Sequence, residues 1–585
     1  MKLKSIRTHM SYILFSKYLK HQIKWFLLLT ICIISGIVIQ IVNPQIVRRF
    51  IDVAVSSNPG NQLLMMAGIF FGLAAFQQLL AIVSTYVAQS IGWQATNALK
   101  EDLTAHCLKL DMNYFKGIRQ GELIEIIEGD VNVLFNFFSR MAVILFSNGL
   151  LLVGVLSMYY IEDIRIGLAQ TAFVLIAFVL FAQIKKYSSK YWKANRKKAG
   201  ESFGLYGEII QNTEDIKANG ASNHVYSNYQ KILMGWLPIR IKAGLSGGAF
   251  FMLSLFLQLT SFGITLVLGT WLWKQGNISV GTIYMFYVYT NFLLRPIQAI
   301  QRQVQEIQTV SVSMGRIEEL LKRESTIQEK PLCTPLEPTF DLELKNVQFG
   351  YVTDEPVLQN LSLKLVPGET MGVIGRTGSG KTTLARLLLR LYDIDEGHIK
   401  LGSTPIKDVA LKDLRRRVAY VTQEVQFFSG TIRDNLTFYN DKISDDQLRN
   451  AIKEMGIENW FKKFESGLDT KLGTGGIGLS AGEAQLLAFV RVFLSDPAII
   501  ILDEVSSRLD PETERQLQLT ITKLMKDRIG IIIAHKLWTL NHVDEILVLE
   551  NGNVLEQGRR VELIKTETSH FSKLVEMSQE EVLVS

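Results

Sequence analysis

The two halves of the chain differ in how hydrophobic and polar residues are distributed. In the first half, long uncharged stretches are separated by charged segments, whereas the second half alternates short apolar runs with glycine-rich turns. The first uncharged stretch, residues 25–43, follows Lys17, Lys20 and Lys24. An apolar run of this length can cross a bilayer as one α-helix. The pattern therefore predicts a helical membrane region followed by a soluble region.

Five further uncharged stretches have lengths close to the ~20 residues that a membrane-spanning helix needs. They are residues 63–88, 141–160, 166–184, 249–273 and 280–294. Buried core helices of a large soluble protein are the alternative, but several runs of this length in one half of a chain favour membrane spans. We therefore expect an all-α transmembrane domain of six helices over residues 1–322, a polar proline-containing linker over 323–338 and a second domain over 339–585.

Lysine and arginine are concentrated in two long connections, one after the second predicted span and one after the fourth. Loops rich in these residues stay on the cytoplasmic side, so both connections should be cytoplasmic. Arg48 and Arg49, after the first span, go against this orientation. The two connections contain many helix-forming residues, so we expect the spans to continue into the cytosol, with turns near residues 113–123 and 208–218.

The predicted spans contain no Asp, Glu or Lys, and this argues against an ion-coupled carrier. Polar and aromatic side chains such as Gln170, Asn291 and Tyr284 can line a cavity for an amphipathic substrate, or can join helices by hydrogen bonds and packing. The net charge of +6 is spread over 585 residues and indicates no nucleic-acid surface. Three widely separated cysteines predict neither a disulfide framework nor a metal site.

The second half contains a phosphate-loop pattern between a predicted strand and a predicted helix. The pattern is formed by Gly375, Arg376, Thr377, Gly378, Ser379, Gly380, Lys381, Thr382 and Thr383. Its glycines let successive backbone N–H groups point at a polyphosphate, and the following helix adds the positive end of its dipole. Lys381 would neutralise the β- and γ-phosphates, and the Thr382 hydroxyl would bind Mg²⁺. The sequence thus predicts an ATP and Mg²⁺ site in an α/β domain.

Other candidate site residues stand at or near the ends of predicted strands. Asp503 and Glu504 end the apolar run 498–502, where Asp503 would hold Mg²⁺ and Glu504 would orient or deprotonate the attacking water. Gln423 follows another buried run and can reach Mg²⁺ and the water, while His535 follows a third and can contact the γ-phosphate. Tyr351, before the phosphate strand, can stack on adenine, although a strand aromatic is more often part of a core.

The sequence Leu479-Ser480-Ala481-Gly482-Glu483 resembles the signature motif of ATP-binding-cassette (ABC) transporters. With this motif, the whole chain resembles a half-exporter of the multidrug, lipid and peptide type, in which a six-span membrane domain is fused to one cassette. The resemblance implies an α/β P-loop ATPase whose hydrolysis drives export from the cytoplasm. It also implies a multi-pass protein of the inner or plasma membrane.

The resemblance further implies that two cassettes bind head to tail. Ser480 and Gly482 of one cassette would face the ATP held by the phosphate loop of the other, and Asp510 would lie across the dimer interface. A second half-transporter is therefore an expected partner, together with the lipid bilayer and a drug, lipid or peptide substrate, and no nucleic acid is expected.

Three departures from the family pattern bear on the dimer. Ala481 and Glu483 stand where the family usually has Gly and Gln, and residues 472–476 lack the usual acidic residue. Glu504 and His535 are kept, which suits the competent half of a heterodimer, although a homodimer also fits.

Two other functions are compatible with the sequence. One is a non-transporting cassette protein that gates a channel or signals to a partner, and the other is a soluble cassette ATPase with an unrelated helical half.

Overall fold

The computed structural model describes residues 17–18, 20–55, 61–330, 333–337, 339–352, 355–473, 478–503, 511–534 and 537–584. The chain forms two compact units. The first comprises Met1–Lys109 and Ile118–Glu324, and the second comprises Leu110–Gly117 and Ser325–Ser585. A short segment of the first half of the chain therefore groups with the second unit.

Helices form nearly all of the described part of the first unit. The α-helices of the first half of the chain, in order, are α1 Ile23–Val55, α2 Gln62–Cys107, α3 Met112–Gly117, α4 Gln120–Ile124, α5 Val131–Asn136, α6 Ala142–Glu162, α7 Ile164–Gln211, α8 Thr213–Ala218, α9 Ser222–Lys274 and α10 Val280–Leu321. Of these, α3 belongs to the second unit. Two π-helical stretches, Glu125–Asp130 and Phe137–Met141, join α4, α5 and α6 into one continuous helical segment.

Within the described residues, five helical segments are long and apolar enough to cross a membrane. They are Ile23–Val55, Gln62–Cys107, Gly121–Glu162, Ile164–Gln211 and Ser222–Lys274. The sixth predicted span lies in α10, which is also long and helical. Its tyrosines, Asn291 and Arg295 make it less apolar than the others. The helical transmembrane domain expected from the sequence is confirmed, with five of the six predicted spans meeting the criteria of length and composition.

A buried chain of polar groups joins α6, α7, α9 and α10. The Nε2 of Gln170 donates to the Thr265 Oγ1 over 2.9 Å, and the Thr265 and Thr290 hydroxyls lie 2.8 Å apart. The Tyr159 hydroxyl lies 3.0 Å from the Thr290 hydroxyl and donates to the Phe286 carbonyl. Because Gln170 is fully buried and hydrogen-bonded, its role in this structure is to join helices, one of the two roles weighed from the sequence.

The second unit contains twelve strands among the described residues. They are β1 Leu342–Phe349, β2 Leu358–Leu365, β3 Thr370–Gly375, β4 Glu396–Leu401, β5 Thr404–Pro405, β6 Val418–Val421, β7 Gly430–Thr431, β8 Lys471–Leu472, β9 Ile499–Asp503, β10 Ile529–Ile533, β11 Glu545–Glu550 and β12 Asn553–Arg559. The helices after α10 are α11 Lys381–Leu388, α12 Leu411–Arg417, α13 Ile432–Thr437, α14 Asp445–Glu454, α15 Glu458–Phe461, α16 Ala481–Ser495, α17 Pro511–Met525, α18 Arg560–Lys565 and α19 His570–Val584.

The main sheet has six strands in the order β12-β11-β3-β10-β9-β6, and an antiparallel sheet has the order β2-β1-β4-β5. Strands β11, β3, β10, β9 and β6 are mutually parallel. Along β9, Ile499 and Ile501 belong to one hydrophobic cluster, whereas Ile500 and Leu502 belong to another. The sheet is thus buried on both faces, which explains the continuously apolar strand sequences. Its parallel strands bring their carboxyl ends to one edge.

Candidate active site

The loop between β3 and α11 has the backbone conformation that its glycines predict. Gly380, which precedes the first residue of α11, has a φ of +103°. A Cβ at this position would lie 2.6 Å from the Leu358 Cδ2 and 3.0 Å from the Val357 carbonyl oxygen. Only glycine can adopt this left-handed conformation readily and also leave room for the close neighbours. The loop therefore turns tightly enough for its N–H groups and the start of α11 to surround an anion.

Lys381 and Ser379 supply buried polar groups in this loop. The Lys381 side chain is buried, and its ammonium donates to the carbonyls of Gly375 and Arg376 over 2.7 and 3.1 Å. The Ser379 hydroxyl is buried and has no hydrogen-bond partner among the described residues. A buried ammonium and an unpartnered buried hydroxyl beside a helix N-terminus fit the phosphates of ATP. Thr382, half-buried, lies in the first turn of the same helix.

Tyr351 lies against α11, close to the phosphate loop. Its hydroxyl is 3.2 Å from the Thr383 Oγ1 and accepts a hydrogen bond from Arg386 over 3.0 Å. The ammonium of Lys116, in α3, lies 4.3 Å from the centre of the Tyr351 ring. The sequence predicted adenine stacking for this ring but gave no indication of the cation over it or of the bond from Arg386.

Asp503 ends β9 at the carboxyl edge of the sheet and is only 5% exposed. Its carboxylate accepts a hydrogen bond of 2.8 Å from the Tyr420 hydroxyl, on the neighbouring strand β6. Burial, together with the Asp503 charge, raises the pKa of Tyr420, so the phenol stays protonated and donates. The sequence did not predict that Tyr420 orients Asp503, because Tyr420 was only one residue of an apolar run.

The remaining predicted residues are distributed around the same edge or lie outside the described residues. Gln423 is exposed two residues beyond the end of β6, whose neighbour is β9. Glu504, His535 and Asp510 lie outside the described residues. The phosphate loop, Asp503 and Gln423 therefore follow three parallel strands of one sheet, where ligands of such sheets bind.

The signature-like segment begins a different helix, α16. Ser480 precedes the first residue of α16, and its hydroxyl accepts the Glu483 N–H over 3.3 Å while the Glu483 carboxylate accepts the Ser480 N–H over 2.8 Å. This reciprocal arrangement is a capping box. Ser480 and Ala481 are exposed, whereas Gly482 is buried.

A phosphate loop and an acid-ended strand on one edge of a parallel sheet, in a chain with apolar helices of membrane-spanning length, define a membrane-bound nucleotide hydrolase. Residues 26–297 match the family model of the ABC transporter transmembrane region. Residues 358–507 match the ABC transporter model.

Similar proteins from bacteria cover most of the chain. It is 27% identical over 522 residues to "Probable multidrug resistance ABC transporter ATP-binding/permease protein YheH" of Bacillus subtilis, covering 87% of this chain and 76% of that protein. It is 28% identical over 562 residues to a Rickettsia typhi protein whose name describes an export ATP-binding/permease protein, and the match covers 94% of this chain and 96% of that one.

The fold is similar to the solved structure of a bacterial Atm1-family ABC exporter with ATP bound. The TM-score is 0.77 at 24% identity, and the match covers 95% of this chain and 98% of that one. The chain belongs to the ABC transporters and fuses a transmembrane region and an ATPase of that family in one polypeptide. It is a half-transporter of the exporter type that binds ATP and couples ATP hydrolysis to export.

Proposed function

We propose that this chain is one half of a dimeric exporter that moves a small or amphipathic substrate, such as a drug, lipid or peptide, across the inner or plasma membrane by alternating access. The observation that carries the proposal is the shared sheet edge, where the phosphate loop, Asp503 and Gln423 follow parallel strands in a chain that also has apolar helices of membrane-spanning length.

In the proposed reaction, the loop residues Gly375–Thr383 hold the triphosphate and Tyr351 stacks on adenine. Mg²⁺, which Thr382, Gln423 and Asp503 would hold, neutralises phosphate charge when bound. Tyr420 keeps the Asp503 carboxylate oriented. Glu504 orients or deprotonates the attacking water, and His535 contacts the γ-phosphate. The oxygen donors of Thr382, Gln423 and Asp503 support the proposed Mg²⁺ site, because they match the ligand preference of this ion.

A cavity of the first unit supports an amphipathic substrate. The cavity has a volume of about 580 Å³ and lies between the π-helical stretch that precedes α6 and the middle of α10. Phe137 and Met141 contribute apolar surface, whereas Arg140 and Glu306 contribute charges of opposite sign. The Oε1 of Gln303, another lining residue, is buried without a hydrogen-bond partner among the described residues. Such a mixture suits a molecule with both apolar and polar parts.

Contacts at the predicted outer ends of the helices support alternating access. Arg48, near the end of α1, pairs with Glu162 at the end of α6. Asp52 accepts the Gly281 N–H over 2.9 Å and the Ser279 hydroxyl over 2.7 Å at the start of α10. Substrate leaving between these helices requires the contacts to separate. The pairing of Arg48 also accounts for a basic residue on the outer side of the predicted topology.

Two half-transporters are needed because one chain has one phosphate loop and one signature segment, which in the proposed head-to-tail dimer serve different ATP molecules. We favour a heterodimer, since Ala481 and Glu483 alter the signature while Glu504 and His535 are kept. A homodimer is the alternative. Copurification of a tagged chain with an untagged copy, compared with a companion half-transporter, distinguishes the two.

The test is transport into inside-out proteoliposomes with wild-type protein, a Glu504→Gln variant and a Glu454→Gln control in an exposed position of α14. The probes are a fluorescent amphipathic dye and a fluorescent phospholipid. We expect ATP-dependent movement of a probe with wild type and the control, and none with Glu504→Gln. Equal movement with Glu504→Gln contradicts hydrolysis-coupled export. ATP hydrolysis without movement of either probe favours the gating or signalling alternative.

A further inference from the structure

A lysine is paired with the unusual acid of the signature segment. Lys463, in the loop after α15, forms an ion pair with the Oε1 of Glu483, in the first turn of α16. The Lys463 ammonium also lies 5.0 Å from the ring centres of Trp460 and Phe464. Two aromatic faces and one carboxylate thus surround the same ammonium, which limits the positions that this flexible side chain can take.

Both carboxylate oxygens of Glu483 are occupied. Oε2 accepts the Ser480 N–H over 2.8 Å, and Oε1 pairs with Lys463. A glutamine at position 483 would also complete the capping box, but it would carry no charge. Glu483 therefore adds one negative charge at the start of α16, where the helix dipole is positive. Lys463 offsets that charge.

We propose that Lys463 is a positioning residue for ATP, because it neutralises Glu483 and so allows the Ser480 hydroxyl and the start of α16 to face a triphosphate. This inference rests on the proposed function, in which Ser480 and Gly482 face the ATP bound by a second cassette. Without Lys463, the Glu483 carboxylate would repel the phosphates. With the lysine present, the acid holds the backbone turn and repels the anion little.

A charge cycle tests the inference in the full-length transporter, purified alone and with its companion half-transporter. The variants are Lys463→Met, Glu483→Gln and the double variant, with Lys463→Arg as the charge-conserving change. Lys462→Met is the matched control, since Lys462 is an exposed neighbour whose side chain donates a hydrogen bond to Asn459 and lies outside the ion pair with Glu483. The readouts are the ATP concentration at half-maximal hydrolysis, kcat and the thermal unfolding temperature.

We expect Lys463→Met to raise the half-saturating ATP concentration about tenfold, which corresponds to ~1.4 kcal/mol of binding free energy. The double variant and Lys463→Arg should both return to within about twofold of wild type, because each removes the uncompensated charge. The defect of Lys463→Met should shrink as salt is raised, since salt screens the repulsion between carboxylate and phosphate. A packing role of the lysine predicts neither the rescue by Glu483→Gln nor the salt dependence.

The inference is overturned if Lys463→Met has the same half-saturating concentration as Lys462→Met, or if the double variant is as defective as Lys463→Met. If Lys463→Met does not fold, Lys463→Arg and Glu483→Gln provide the test instead. Loss of ATP affinity in Lys463→Arg at an unchanged unfolding temperature also overturns the inference. A wild-type protein that hydrolyses no ATP in either preparation contradicts the proposed function itself. An active wild type with unchanged variants contradicts only the role of Lys463.

Discussion

Two helix N-termini of the ATPase unit, those of α11 and α16, are built in opposite ways. Gly380 precedes α11 and has no side chain that could cap this helix, and Lys381 adds a positive charge. Ser480 precedes α16, and its capping box with Glu483 already uses two backbone N–H groups. The N–H groups of the first terminus can donate to several phosphate oxygens at once, whereas the second terminus is a firm turn that offers a few donors at a fixed place.

The two acids assigned to these sites, Asp503 and Glu483, differ in the charge of their partners. Asp503 is held by a neutral partner, the Tyr420 hydroxyl, which brings no positive charge to offset the carboxylate. Glu483 is held by a cation, Lys463, and its charge is offset. In the proposed function, the site at the start of α11 gathers both phosphate and metal, whereas the start of α16 contacts phosphate without adding charge. The following changes test this difference, from the largest expected effect to the smallest.

Lys381→Ala should have the largest effect. The variant removes the buried ammonium of the phosphate loop, and we expect ATP hydrolysis to fall about a hundredfold to a thousandfold, as when other buried groups that stabilise reacting charge are removed. Steady-state ATPase assays measure the loss. Lys407→Ala, in a lysine outside this loop, serves as the control. Hydrolysis within threefold of wild type would show that α11 and its loop do not hold the triphosphate.

Gly380→Ala should come next. The alanine Cβ would lie 2.6 Å from the Leu358 Cδ2, and the alanine backbone would have to adopt a positive φ. We expect a cost of about 1–3 kcal/mol in unfolding free energy and weaker ATP binding, measured by thermal unfolding with and without ATP. Gly378→Ala is the matched control, since Gly378 also has a positive φ but open space around it. Equal effects of the two variants would mean that the close contact at Gly380 adds nothing.

Ser480→Ala removes one half of the capping box of α16. The loss in unfolding free energy should be about 1 kcal/mol, which is typical of a lost N-cap. Ser444→Ala is the control, because Ser444 forms the same kind of box with Gln447 at the start of α14. Both variants should lower the unfolding temperature similarly, and only Ser480→Ala should lower ATP hydrolysis. If both leave hydrolysis unchanged, the start of α16 does not contact ATP.

Tyr420→Phe should have the smallest effect. The variant removes the hydrogen bond to Asp503, worth about 1 kcal/mol, while the ring and its packing stay. The Mg²⁺ concentration needed for half-maximal hydrolysis should rise by about fivefold, in line with that energy. Titration of Mg²⁺ at saturating ATP measures the change. Tyr392→Phe, in a buried tyrosine of the same unit, should leave the Mg²⁺ requirement unchanged.

Local patterns made much of the architecture predictable. The phosphate loop is contiguous, so its spacing and the apolar runs on either side of it indicated the strand, the turn and the helix around Lys381. Apolar runs likewise predicted β9 and the membrane helices, because burial on all sides demands uninterrupted apolar sequence. The sixth predicted span was harder to assign by composition, since α10 carries polar residues such as Asn291 among its apolar ones.

Contacts between distant parts of the chain could not be read from the sequence. Tyr420 and Asp503 are 83 positions apart and meet only because β6 and β9 are neighbours in the sheet. Lys463 and Glu483 come from separate elements, and a lysine in a surface loop carries no sign of its partner. Strand order and loop packing decide such pairs, and neither has a local signature.

The two π-helical stretches on either side of α5 have a consequence for how the membrane unit responds to ligands. Each wide turn accommodates one residue more than an α-helical turn of the same rise. Relaxation of the stretch Phe137–Met141 to α-helical winding would therefore rotate the preceding residues relative to α6 by about 100° around the axis. Such a rotation would redirect the Asn136 side chain, which lines the cavity between this segment and α10, and so would change which groups a bound molecule meets.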